Sequence, residues 1–176
     1  PGELTLLSIG PFTNLALLFA LDPEIPRLLK EVVSMAGTFF DPMPEWNCRV
    51  DPVATVMAYA ARPPRHVSVG LDVTMKCKLA ADEAARRFEP PPLNLVRDLA
   101  RIWARGNKEI TFHDPLAAAL IFHPELCGWE DGAITVELGP SEGEGRTTFV
   151  PGAGSHRVAK TVNAKGFFEE YFSVFT

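Results

Sequence analysis

An imidazole and a carboxylate stand side by side in Phe112-His113-Asp114-Pro115-Leu116-Ala117. At a loop-to-helix junction such a pair can do proton chemistry or hold a metal; equally, Asp114 can simply cap the helix while His113 lies in the loop. Glu45-Trp46-Asn47 supplies a second pair, a carboxylate and an amide two apart in an extended loop. Both can grip a polyhydroxylated ligand, one accepting hydrogen bonds and the other donating or accepting them, although a solvated loop with a packed tryptophan has the same sequence. Ile9-Gly10-Pro11 is less specific, since a glycine after a strand usually marks a turn.

The elements that must position these residues alternate. Leu4–Ile9 reads as a buried strand closed by Gly10-Pro11, after which Thr13 and Asn14 can cap a helix over Leu15–Leu21. Asp22-Pro23 predicts a helix to about Lys30, Val32–Met35 a strand, and Thr38–Val50, with Pro42 and Pro44, an irregular stretch. Asp51-Pro52 opens a helix to about Ala61, and His66–Val73 reads as a strand. Ala80–Gly106 is helical around a break at Pro90-Pro91-Pro92, and Asp114-Pro115 opens a helix over Leu116–Phe122. Strands at Ile134–Leu138, Arg146–Val150 and His156–Val162 then precede an amphipathic closing helix from Gly166. This pattern predicts an α/β fold with a mainly parallel open sheet and flanking helices, in one domain over residues 1–176.

Composition narrows the chemistry. The chain has 176 residues, 47% hydrophobic and 22% charged, enough to bury a core. A net charge of −5 argues against binding nucleic acid through its phosphates. The longest apolar run, Leu15–Leu21, is far shorter than the roughly 20 residues of a bilayer span. Three scattered cysteines, with no CxxC, predict reduced thiols in a cytoplasmic setting. No matched histidine or basic partner argues for Cys48 as a nucleophile, His66 and His156 are expected at strand edges, and Arg97, Arg101 and Arg105 share one solvated helical face.

Taken in order, six segments carry a more specific signal: Ile9-Gly10-Pro11-Phe12-Thr13-Asn14-Leu15-Ala16, Asp22-Pro23-Glu24-Ile25, Met35-Ala36-Gly37, Glu45-Trp46-Asn47 with Asp51-Pro52, Gly70-Leu71-Asp72-Val73-Thr74, and His113-Asp114-Pro115-Leu116-Ala117. In this register the chain resembles the inosine-uridine-preferring nucleoside hydrolase family. The resemblance implies a Rossmann-like core, hydrolysis of the N-glycosidic bond of ribonucleosides, and one bound calcium. Matched position by position, it implies that Asp114 is a carboxylate ligand of calcium and that Ile9 offers it a backbone carbonyl. It further implies that His113 assists departure of the nucleobase and that Glu45 and Asn47 hold ribose hydroxyls. These types suit the reaction, because calcium takes several hard oxygens and an oxocarbenium-like transition state is stabilised by negative charge.

The family's N-terminal aspartate cluster, DTDPGxDDA, has no counterpart here; the eight aspartates are scattered, and the chain opens on Pro1-Gly2 about where the Gly-Pro-x-Thr-Asn segment falls. The expectation is therefore a domain lacking the family's first strands, the C-terminal portion of a hydrolase that is inactive alone and holds calcium weakly. The alternative is a truncated, non-catalytic homologue serving as a nucleoside-binding or oligomerisation module. A sheet without its first strands leaves an edge to be covered, so the expected partner, besides the ribonucleoside, is a second copy or a complementing N-terminal segment.

Overall fold

A computed structural model describes residues 1–41 and 43–175. Pro42, one of the two prolines of the irregular stretch, lies outside them. The first half alternates β1 (Thr5–Ser8), α1 (Thr13–Leu21), α2 (Ile25–Leu28), β2 (Glu31–Ser34), α3 (Trp46–Val50), α4 (Pro52–Ala60), β3 (His66–Ser68) and α5 (Leu71–Thr74). A small two-stranded unit follows, β4 (Lys78–Ala80) and β5 (Glu109–Thr111), holding α6 (Ala81–Arg87) and α7 (Leu93–Trp103) between its strands. The chain closes with α8 (His113–Ala119), β6 (Cys127–Val136), β7 (Thr147–Pro151), β8 (His156–Val162) and α9 (Ala164–Ser173).

The main sheet has the order β1-β2-β3-β8-β6-β7. The first four strands run parallel, while β6 is antiparallel to both β8 and β7. The expected α/β fold with a mainly parallel sheet is what the chain adopts. Both faces of the sheet are covered: Val32 packs with Phe12, Leu15, Phe19 and Tyr59 on one side, and its neighbour Val33 with Phe112, Leu116 and Phe167 on the other. Successive residues of a strand point to opposite faces, which is why a doubly covered strand reads as a continuous apolar run.

Several local expectations need correction. His66 and His156 are not edge residues; they pair in register on the adjacent strands β3 and β8 and are 1% and 8% exposed. His66 stacks on Tyr59, with ring centroids 4.9 Å apart. The strand from His66 ends at Ser68, because the chain turns into α5 at Gly70. The second helix covers only Ile25–Leu28, and the Asp22 carboxylate instead accepts the Glu24 amide in a turn. Thr13 does not cap α1; its hydroxyl donates to Asp51 at 2.6 Å, tying α1 to the start of α4. The helix α7 shows its apolar side to solvent, with Leu95 71% and Leu99 69% exposed. No helix among the described residues is long and apolar enough to cross a membrane.

Candidate active site

Open α/β sheets present ligand sites beyond the carboxyl ends of their parallel strands. Ile9 follows β1, Met35 follows β2, and Leu71 lies three residues past β3. These three line a cavity of about 270 Å³ together with Glu45, Trp46, Asn47, His113 and Asp114. All five residues singled out in the sequence, Ile9, Glu45, Asn47, His113 and Asp114, are therefore neighbours in space although they span more than half the chain. Trp46, 71% exposed, stands at the rim.

The loop after β2 is held by one buried carboxylate. Glu45 accepts the amides of Asn47 at 2.8 Å and of Cys48 and Gly37 at 3.1 Å each. It thus caps α3 and fastens that helix to the turn at Gly37, so Glu45-Trp46-Asn47 is a helix start rather than an extended loop. Three amides leave about one lone-pair direction of the carboxylate for a ligand. The Asn47 amide group donates to the Met35 carbonyl at 2.9 Å, which fixes its orientation and leaves Oδ1 without a protein partner among the described residues. Cys48 is fully buried; burial and the adjacent Glu45 charge push its thiol well above the ordinary range, so it remains a protonated thiol.

The opposite wall is the first turn of α8. Asp114 does not cap this helix; the N-cap position is Phe112, and His113 and Asp114 are its first two residues. Phe112 is 3% exposed, packs edge-on against Phe168 with centroids 5.1 Å apart, and donates its amide to the Cys77 carbonyl at 2.8 Å. The start of α8 is anchored by these contacts. His113 Nδ1 lies 2.8 Å from the hydroxyl of Thr74, at the end of α5. Partial burial lowers the pKa of His113, opposed by the neighbouring Asp114 charge and reinforced by Lys78; partial burial raises that of Asp114, opposed by His113. The imidazole is accordingly neutral at pH 7.

Sequence reasoning passed over α5 as a working element. Its Leu71 amide donates to the Gly37 carbonyl at 2.9 Å, and its Asp72 carboxylate accepts the amides of Phe39 at 2.7 Å and Phe40 at 3.1 Å. Thr74 reaches His113 from the same short helix. The signal was present in Gly70-Leu71-Asp72-Val73-Thr74, but read only as part of an ordered pattern. A larger cavity of about 880 Å³, lined by Phe88, Trp103, Phe112 and Tyr171 among others, also has His113 on its wall.

The family profile described as inosine-uridine preferring nucleoside hydrolase matches residues 1–169. The chain belongs to this family. Among relatives of this nucleoside hydrolase family member, uridine nucleosidase 1 of Arabidopsis thaliana is 28% identical over 150 residues, covering 78% of this chain and 44% of its own length. The pyrimidine-specific ribonucleoside hydrolase RihA of Shewanella woodyi is 30% identical over 159 residues, covering 83% of this chain and 51% of its own length. A solved plant nucleoside hydrolase, PpNRh1, superposes with a TM-score of 0.85 at 20% identity over 100% of this chain and 63% of its own, which establishes a shared fold. The chain spans about half the length of the curated relatives it matches.

Proposed function

We propose that this chain forms the ribose- and base-facing part of a ribonucleoside N-glycosidase, a hydrolase that releases a free base from a nucleoside. The convergence of Ile9, Glu45, Asn47, His113 and Asp114 on one cavity at the carboxyl ends of the parallel strands carries this reading. Asn47 Oδ1 accepts from a ribose hydroxyl, and Glu45 adds its remaining lone-pair direction. The Asp114 carboxylate stabilises positive charge developing on the sugar ring as the glycosidic bond opens. His113, neutral at pH 7, donates a hydrogen bond to the departing base, which extends toward the larger cavity on its other side.

Calcium fits this half of the site only in part. The ion takes six to eight oxygen ligands. Here the Asp114 carboxylate and the Ile9 carbonyl are the matched donors, and no group of three or more His, Cys, Asp or Glu among the described residues could hold a metal. These residues alone do not make a calcium site. The partner implied by the same reasoning is a complementing segment or a second copy along β1, which among the described residues pairs with β2 alone.

The test is base release from inosine and uridine, with and without calcium, by the 176-residue chain and by a longer form carrying the aspartate cluster. The chain alone is expected to be nearly inactive. In the longer form, His113→Ala should slow turnover by roughly 10² or more, and Asp114→Ala should weaken calcium retention measured by titration calorimetry. Unchanged turnover and metal content in both variants would overturn the assignment. The partial donor set favours a second reading, a nucleoside-binding module without catalysis; inosine binding without base release by the longer form would select it.

A further inference from the structure

We propose that Thr74 is a positioning residue that sets the tautomer of His113, keeping the ring hydrogen on Nε2, the nitrogen left free for substrate; this rests on the role given to His113 above. Thr74 is 0% exposed, and its hydroxyl has one hydrogen-bond partner among the described residues, His113 Nδ1 at 2.8 Å. A hydroxyl can donate once, and a buried one that accepts without donating strands its hydrogen in the core, which is costly. Among the described residues the Thr74 hydroxyl bonds to no other acceptor, so it donates to Nδ1. An Nδ1 that accepts carries no hydrogen, and in the neutral ring the hydrogen must then sit on Nε2.

The geometry is rigid at both ends. Thr74 closes α5, where its own amide and that of Val73 both donate to the Gly70 carbonyl. The Phe112 amide, just before His113, is tied to the Cys77 carbonyl three residues beyond Thr74. The hydroxyl and the ring are thus held on two segments stitched together beside the contact.

The consequence for the reaction is a matter of sign. As the glycosidic C–N bond opens, its electron pair moves onto the base, and a donor at the base lowers the barrier. With the hydrogen on Nε2 the free nitrogen is that donor. With the hydrogen on Nδ1, Nε2 would instead present a lone pair and oppose the developing charge. The ring keeps its hydrogen in this step: water bonds to the sugar carbon as the C–N bond breaks, the base leaves with the electron pair while accepting the Nε2 hydrogen bond, and it takes its proton from solvent.

The tautomer can be read directly in the 176-residue chain by two-bond ¹H–¹⁵N correlation with ¹⁵N-labelled histidine at neutral pH, His113→Gln identifying the signals. The unmodified chain should show His113 with Nε2 protonated. Thr74→Val, nearly isosteric, should shift it to a mixture or to Nδ1–H, and Thr74→Ser should restore it. An Nδ1–H ring in the unmodified chain, or an unchanged tautomer in a folded Thr74→Val, would overturn the proposal. In a longer form that releases base, Thr74→Val should cut kcat for inosine and uridine roughly tenfold with KM little changed. It should spare 4-nitrophenyl riboside, whose leaving group departs without help, and equal slowing of both substrate types would overturn the link to the base. Should the tautomer respond as expected while no form releases base, the function assigned to His113 fails and the positioning by Thr74 stands.

Discussion

At the scale of single residues, Glu45 shows that a side chain chosen for its chemistry can also be a fastener. Its carboxylate is the junction of three backbone amides and joins the turn after β2 to α3. Glu45→Gln keeps the shape but replaces one acceptor oxygen with a donor, placing an N–H against an N–H. Unfolding in urea should show a loss of about 1–3 kcal/mol, and nucleoside affinity should fall with it as Asn47 loosens. The five site residues were legible in the sequence because their order and spacing match a family pattern. Thr74 was not, since a threonine within a short apolar segment carries no mark of the histidine it meets 39 positions later.

At the scale of elements, α5 fixes the distance between the two walls of the cavity. Its N-cap, Gly70, packs so closely on the turn after β2 that an added Cβ would lie 2.8 Å from the Gly37 carbonyl oxygen. That neighbour is backbone and cannot swing aside. Gly70→Ala should therefore cost about 1–3 kcal/mol in thermal or urea unfolding and weaken nucleoside binding, whereas Gly106→Ala, which meets nothing within 4 Å, should be near neutral. Some elements were legible: α4, β2, β7 and β8 lie within a residue or two of where patterning puts them, whereas β6 begins at Cys127, seven residues before the expected Ile134. The shortest were not. β4 and β5 have three residues each, too few for any period to emerge, and α3 is started by a glutamate instead of the short polar residues that usually signal a cap.

At the scale of the whole molecule, stability should depend on pH through its paired core histidines. Burial pushes His66 down to about 3, helped by His156, and burial also lowers His156. Both are neutral when folded, yet each takes up a proton near pH 6.5 once unfolded. The folded state is therefore favoured above pH 6.5 and, as pH falls from there toward 3, loses about 1.4 kcal/mol per pH unit through His66, with His156 acting in the same direction. Urea midpoints between pH 7 and pH 5 should trace this decline, and His66→Phe, which preserves an aromatic ring beside Tyr59, should flatten it. The polarity of the two histidines misled at the level of sequence, where His66 and His156 read as edge residues; only the pairing of β3 with β8 places them inside.

That same pairing orders the chain's assembly in time. The last strand of the described residues, β8, sits between β3 and the β6–β7 hairpin, so among those residues no strand pairing joins the first three strands to that hairpin until residues 156–162 are available. Without β8 the strands can pair only as two separate pieces, each with an unsatisfied edge, and β8 closes the gap by pairing in parallel on one side and antiparallel on the other. Such late, long-range closure is slow by its topology, and the interval before it is when the nascent chain is most exposed to mispairing.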